Sequence, residues 1–108
     1  MAWLAGLLEG EGSFGFQKQK GKSRPIVSLR MTDRDIVARV ATIFGTKVHG
    51  PYRSESRGRL VKPIYSVRCI SAAALSIMEQ VLPWLGERRA AKTNQIFTQM
   101  GYLPVRAK

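Results

Sequence analysis

A chain of 108 residues with 44% hydrophobic content has room for one compact domain, residues 1–108, around a modest core, and is too apolar to be disordered. Eighteen Lys and Arg against seven Asp and Glu give a formal charge of +11, a field suited to polyanions, with nucleic acid the first expectation. Its apolar stretches are too short to span a bilayer, no cationic segment precedes the first of them as a signal peptide requires, and the lone Cys69 excludes an intrachain disulfide.

Leu4, Leu7 and Leu8 recur at helical spacing over residues 2–10, while Ala5 and Gly6 leave one side of that helix nearly bare. Gly10 and Gly12 end it, with Glu9 and Glu11 at the C-terminal end, where the macrodipole disfavours carboxylates and no Lys or Arg stands close in sequence. Something cationic is expected there. A divalent metal ion is the natural candidate, because hard cations take carboxylate and backbone carbonyl oxygens.

Residues 13–20 alternate as a strand, with Phe14 and Phe16 on one face. After a turn at Gly21-Lys22-Ser23, residues 25–31 form a second strand. Val27, Leu29 and Met31 face one way there, and Ile26, Ser28 and Arg30 the other. Thr32 caps the next helix, whose apolar stripe is Ile36, Val37, Val40, Ile43 and Phe44, and Gly45 ends it. Two further strands are expected over residues 47–54 and 60–70, joined around Ser56-Arg57-Gly58. Tyr65, Val67 and Cys69 alternate with Ser66 and Arg68 on the last of them. Ser71 caps a third helix running to Leu82, Pro83 interrupts, and a fourth helix runs from Gly86 to Met100. The order α-β-β-α-β-β-α-α predicts an α+β domain, a four-stranded antiparallel sheet with helices on one face.

Basic and polar residues gather on the strands. Gln17, Lys18, Gln19, Lys20, Lys22, Arg24, Ser28 and Arg30 lie on the first pair, and Arg53, Arg57, Arg59, Lys62, Ser66 and Arg68 on the second, opposed only by Glu55. An exposed sheet face with this one-sided charge suits a DNA groove, where Arg and Gln address base edges. Charge alone also fits a ribosomal or other electrostatic RNA-binding protein. A membrane-surface role fits less well, because the cations are not gathered on one amphipathic helix.

Leu4-Ala5-Gly6-Leu7-Leu8-Glu9-Gly10-Glu11-Gly12 resembles the nine-residue signature of the LAGLIDADG homing endonucleases, identical at Leu4, Ala5, Gly6, Leu7 and Gly12. Ser13-Phe14, Thr32-Asp33, Ile43-Phe44-Gly45 and Leu82-Pro83-Trp84-Leu85 extend the likeness along nearly the whole chain. The resemblance implies a site-specific double-strand DNA endonuclease that uses Mg²⁺ or Mn²⁺. One signature per chain implies a homodimer on a pseudo-palindromic site, with signature helices meeting through Ala2, Ala5, Gly6 and Leu7. Glu11 is then the metal-binding carboxylate, assisted by the Gly10 carbonyl, and Glu9 caps a neighbouring helix end. Arg68 and Lys62 stand in for the Lys that many members carry where this chain has Ser71-Ala72-Ala73-Ala74. Met31 occupies the family's polar position between second strand and second helix. A regulator or intron-splicing maturase on the same fold, binding DNA or RNA with weak or no cleavage, is the alternative. A reducing cytoplasm is expected for such a protein, bacterial or phage-encoded, an organelle being the other setting.

Overall fold

The computed structural model describes residues 1–104 except 54, 57, 58 and 61, with backbone alone for 55, 56, 59 and 60. Helix α1 (Ala2–Glu11) leads into a hairpin of β1 (Gly12–Gln19) and β2 (Lys22–Met31), then α2 (Arg34–Phe44). Strand β3 (His49–Tyr52) follows, then the two-residue ladder of β4 (Glu55–Ser56) and β5 (Arg59–Leu60), and strand β6 (Ile64–Ile70). Helix α3 (Ser71–Val81), a 3-10 turn over Leu82–Trp84 and helix α4 (Glu87–Met100) complete the domain. The main sheet has the order β1-β2-β6-β3 and is antiparallel throughout.

Alternation decides which face is covered. Phe14, Val27, Leu29, Val67 and Cys69 are buried, and they meet Leu4 and Leu8 of α1, Val37 and Val40 of α2, Leu75 and Met78 of α3, and Ile96 and Phe97 of α4 in one cluster. Helices therefore lie on one face of the sheet, and the other face is left open.

Several local expectations are corrected. Helix α1 runs through Gly10 and ends at Glu11, because the tight exit belongs to Gly12. Its N–H bonds the Leu8 carbonyl, and a Cβ there would stand 2.6 Å from Leu8 Cδ2 and 2.9 Å from Leu8 O. The hairpin turn is Lys20-Gly21, at φ 52° and 78°, so Lys22 and Ser23 already belong to β2. Asp33, not Thr32, caps α2, its carboxylate accepting from the Asp35 and Ile36 amides at 3.1 and 3.3 Å. Ser71 is the first residue of α3 and Ile70 precedes it as the cap, without a side-chain hydrogen bond. Ile43 leaves the apolar stripe and is exposed.

The second strand pair is shorter than its composition implies. Pro51 lacks an amide hydrogen and sits on the edge strand β3, where the pairing with β6 shifts between His49 and Tyr52. Residues 60–70 divide into β5 and β6. The expected loop residues Arg57 and Gly58 lie outside the described residues.

Candidate nucleic-acid interface and carboxylate cleft

Pairing register sorts the open face into rows that cross the strands, since directly opposed residues share a face. Arg30, Ser66 and His49 form one row across β2, β6 and β3. Ser13, Ser28 and Arg68 form the next across β1, β2 and β6. Gly15, Ile26 and Ile70 follow, then Gln17 with Arg24, then Gln19 with Lys22 at the hairpin end. Arg30 and Arg68 are exposed, and with Ser28, Ser66, Ile26 and Tyr52 they line a shallow concavity. The expected groove contacts Gln17, Gln19, Lys22, Ser28, Arg30, Ser66 and Arg68 thus share the open face.

Other expected contacts are placed differently. Lys18 pairs with Ser23 and alternates onto the face of Phe14 and Phe16. Lys20 is in the turn, and Arg53 and Lys62 are exposed outside the strands. Arg24 is half-buried, donating Nη1 to Ser71 Oγ at 3.4 Å, with a buried Nε that has no hydrogen-bond partner among the described residues. It ties β2 to the start of α3. Arg57 lies outside the described residues, and of Arg59 only the backbone is described.

At the foot of this face Glu11 lines a cleft of about 590 Å³ together with Arg30, Met31, Thr32 and Ile64. Its position follows from the chain path: Gly12 pairs with Leu29, so the preceding residue arrives beside Arg30. Glu11 is exposed, and among the described residues no group hydrogen-bonds or ion-pairs with it. Thr32, which leaves the capping of α2 to Asp33, lines the same cleft. Arg30 and Arg68 share the adjoining concavity. Lys62 lines neither recess.

Glu9, two residues away, is fully committed. Its Oε1 accepts the Gly86 amide at 2.7 Å, capping α4 as the resemblance implies. Glu9 is met by a cation from the chain itself: Arg89 donates Nε to the Glu9 carbonyl at 3.0 Å, lies 3.3 Å from Oε2 and stacks 5.8 Å from the Phe14 ring centroid. It was hidden from a local reading because it lies on α4, far along the chain. Among the described residues no three His, Cys, Asp or Glu side chains gather as a metal site.

The outward side of α1 differs from expectation at one position. Ala5 is fully buried in its own domain core, because it lies on the same helical face as Leu4 and Leu8. Ala2, Trp3, Gly6 and Gly10 are exposed, Leu7 is half-buried, and a Cβ at Gly6 or Gly10 would meet nothing within 4 Å. Arg39 of α2 places its guanidinium 5.0 Å from the Trp3 ring centroid. No helix among the described residues is long and apolar enough to cross a membrane.

Solved structures share this architecture. A LAGLIDADG meganuclease, I-AabMI, bound to uncleaved DNA, is similar over 94% of this chain with a TM-score of 0.62 and 17% identity, the match covering 37% of its own length. The LAGLIDADG homing endonuclease I-GzeII, in complex with its DNA target, matches over 94% of this chain and 36% of its own, with a TM-score of 0.58 and 18% identity. The archaeal intron-encoded homing endonuclease I-Vdi141I, complexed with DNA, matches over 92% of this chain and 67% of its own, with a TM-score of 0.56 and 13% identity. This chain therefore spans little more than a third of the length of the first two. No protein-family model and no curated protein sequence matches it. The fold is that of the LAGLIDADG homing endonucleases, as the signature-like run implies.

Proposed function

We propose that a chain with this fold acts as a site-specific double-strand DNA endonuclease, hydrolysing phosphodiesters as a homodimer on a pseudo-palindromic site with Mg²⁺ or Mn²⁺. One observation carries the reading. Glu11 is an exposed carboxylate without a protein partner among the described residues, in a cleft that opens onto a sheet face lined with Arg30 and Arg68. Glu9 serves the fold; among the described residues nothing uses Glu11.

The donor set fits half of a metal site: one carboxylate and the carbonyl oxygens at the end of α1, without, among the described residues, the further acids that a complete single-chain site needs. A second copy related by a two-fold axis along α1 supplies the second Glu11. Gly6 and Gly10, open on the outward side, permit that close approach, with Ala2 and Trp3 beside them and Leu7 partly available. A divalent ion held by Glu11 and the Gly10 carbonyl would activate water and stabilise the leaving oxygen at the scissile phosphate. Arg30 neutralises phosphate beside the cleft, Arg68 extends that field one row outward, and Thr32 offers the hydroxyl that Met31 lacks for holding a water. Lys62 contributes to the general field, not to the cleft.

A binding protein on the same fold is the second reading. It is favoured by the start of α3, where Ser71, Ala72 and Ala73 themselves bring no cation and the neighbouring Arg24 is held on Ser71 Oγ. Cleavage of a randomised duplex library in Mg²⁺, with Ca²⁺ and Glu11→Gln as controls, separates the two. Sequence-restricted double-strand cuts that require Mg²⁺ and Glu11 support the nuclease. Retained binding without cuts supports the binding protein.

A further inference from the structure

Between the arginines and the hairpin end, the row at Ile26 breaks the polarity of the open face. Ile26 stands opposite Ile70 on one side and Gly15 on the other, between the row of Ser13, Ser28 and Arg68 and the row of Gln17 and Arg24. Ile26 is half-buried and lines the concavity with Ser28, Arg30 and Arg68, so it belongs to the open face and not to the core. Gly15 leaves its β1 side uncovered: a Cβ there would meet nothing within 4 Å.

We propose that this row reads the C5-methyl group of a thymine in each half-site, which rests on the DNA-binding reading given above. The charge of Arg30 and Arg68 brings the duplex to this face, and its major groove offers a single kind of apolar group, the thymine methyl. Ile26 and Ile70 give that methyl an apolar seat, and the bare Gly15 admits the base edge. A cytosine amino group or a purine edge placed there loses its water without gaining a partner.

Strand geometry fixes where the thymine falls. Successive groove-facing residues are about 6.8 Å apart along a strand, which is about two base pairs of B-DNA. Gly15 lies four residues after Glu11. The methyl contact is therefore about four base pairs outward from the pair nearest Glu11, once in each half-site.

The test selects bound duplexes from a 30-base-pair random library in Ca²⁺, then replaces the selected thymine by deoxyuridine, which removes only the methyl. Wild-type protein should lose about fourfold in affinity on that replacement, the worth of one buried methyl-sized group. Ile26→Ser should bind the thymine and deoxyuridine duplexes equally, with its thermal unfolding unchanged. Selective binding with no thymine preference there, or no loss on deoxyuridine, overturns the inference while leaving DNA binding intact. Failure to retain any duplex at low salt overturns the DNA-binding reading as well.

Discussion

Arg89 and Glu9 meet twice, through the Arg89 Nε bond to the Glu9 carbonyl at 3.0 Å and the approach to its carboxylate at 3.3 Å. With the Gly86 amide on Oε1, this joins the end of α1 to the beginning of α4. A negative helix end thereby gains a cation, and the amide end of α4 gains an acceptor. Glu9→Ala should lower unfolding free energy by about 1–2 kcal/mol in urea titrations. Glu9→Gln should keep the cap and lose less. Neither should alter the metal requirement of any cleavage, because Glu11 stands apart from this clasp.

The two glycines of the motif predict opposite behaviour. Gly12→Ala forces a methyl into Leu8 and should destabilise the domain by about 1–3 kcal/mol. Gly10→Ala meets no neighbour within 4 Å among the described residues and removes a flexible residue from a helix, a gain of about 0.5–1 kcal/mol. If α1 is the dimer face, the same methyl weakens association. Sedimentation should show Gly10→Ala shifted toward monomer, while at dilutions where both proteins are monomeric it melts at the higher temperature.

The Lys20-Gly21 turn places a lysine at φ 52°, a left-handed conformation in which Asn is tolerated better. Lys20→Asn should stabilise the hairpin by about 0.5–1 kcal/mol, seen as a higher melting temperature. Where Lys20 touches a phosphate, the salt dependence of DNA affinity should also fall by about one unit of log–log slope.

Cys69 is buried on β6, and that burial pushes its thiol from 9.0 up to about 11. The thiolate forms first in the unfolded chain, so the stability contributed by the neutral thiol is complete below pH 9 and is lost as pH rises toward 11. The expected loss is about 2–3 kcal/mol. Urea titrations between pH 8 and pH 11, taken as the difference from Cys69→Ala, isolate it from Tyr102. The Tyr102 phenol is also raised, chiefly by its hydrogen bond to Glu79.

Local patterns carried the architecture. Alternation at Val27, Leu29, Val67 and Cys69 and the helical spacing of Leu4 and Leu8 place the layers, because burial on a two-layer domain imposes those periods directly. Choices between near-equivalent residues did not resolve. Thr32 and Asp33 are both good caps, and only the path of α2 selects Asp33. Ala5 and Gly6 are both small, and helix rotation turns one inward. At the site, Glu11 was legible as an acid that α1 does not need. Arg30 as its neighbour in the cleft depended on the β1–β2 register, and Arg89 on the return of α4 to α1. Such pairings are products of tertiary packing and leave no mark at short sequence separation.

Trp3, exposed on the outward side of α1 beneath Arg39, gives the chain an optical reporter of its own assembly. An indole that leaves water emits at shorter wavelength, so pairing through α1 should shift Trp3 fluorescence to the blue as concentration rises. Trp84, on the 3-10 turn, is the second emitter and is also exposed. With Trp84→Phe the signal belongs to Trp3 alone, and the dilution curve of its emission becomes the association isotherm of the helix face.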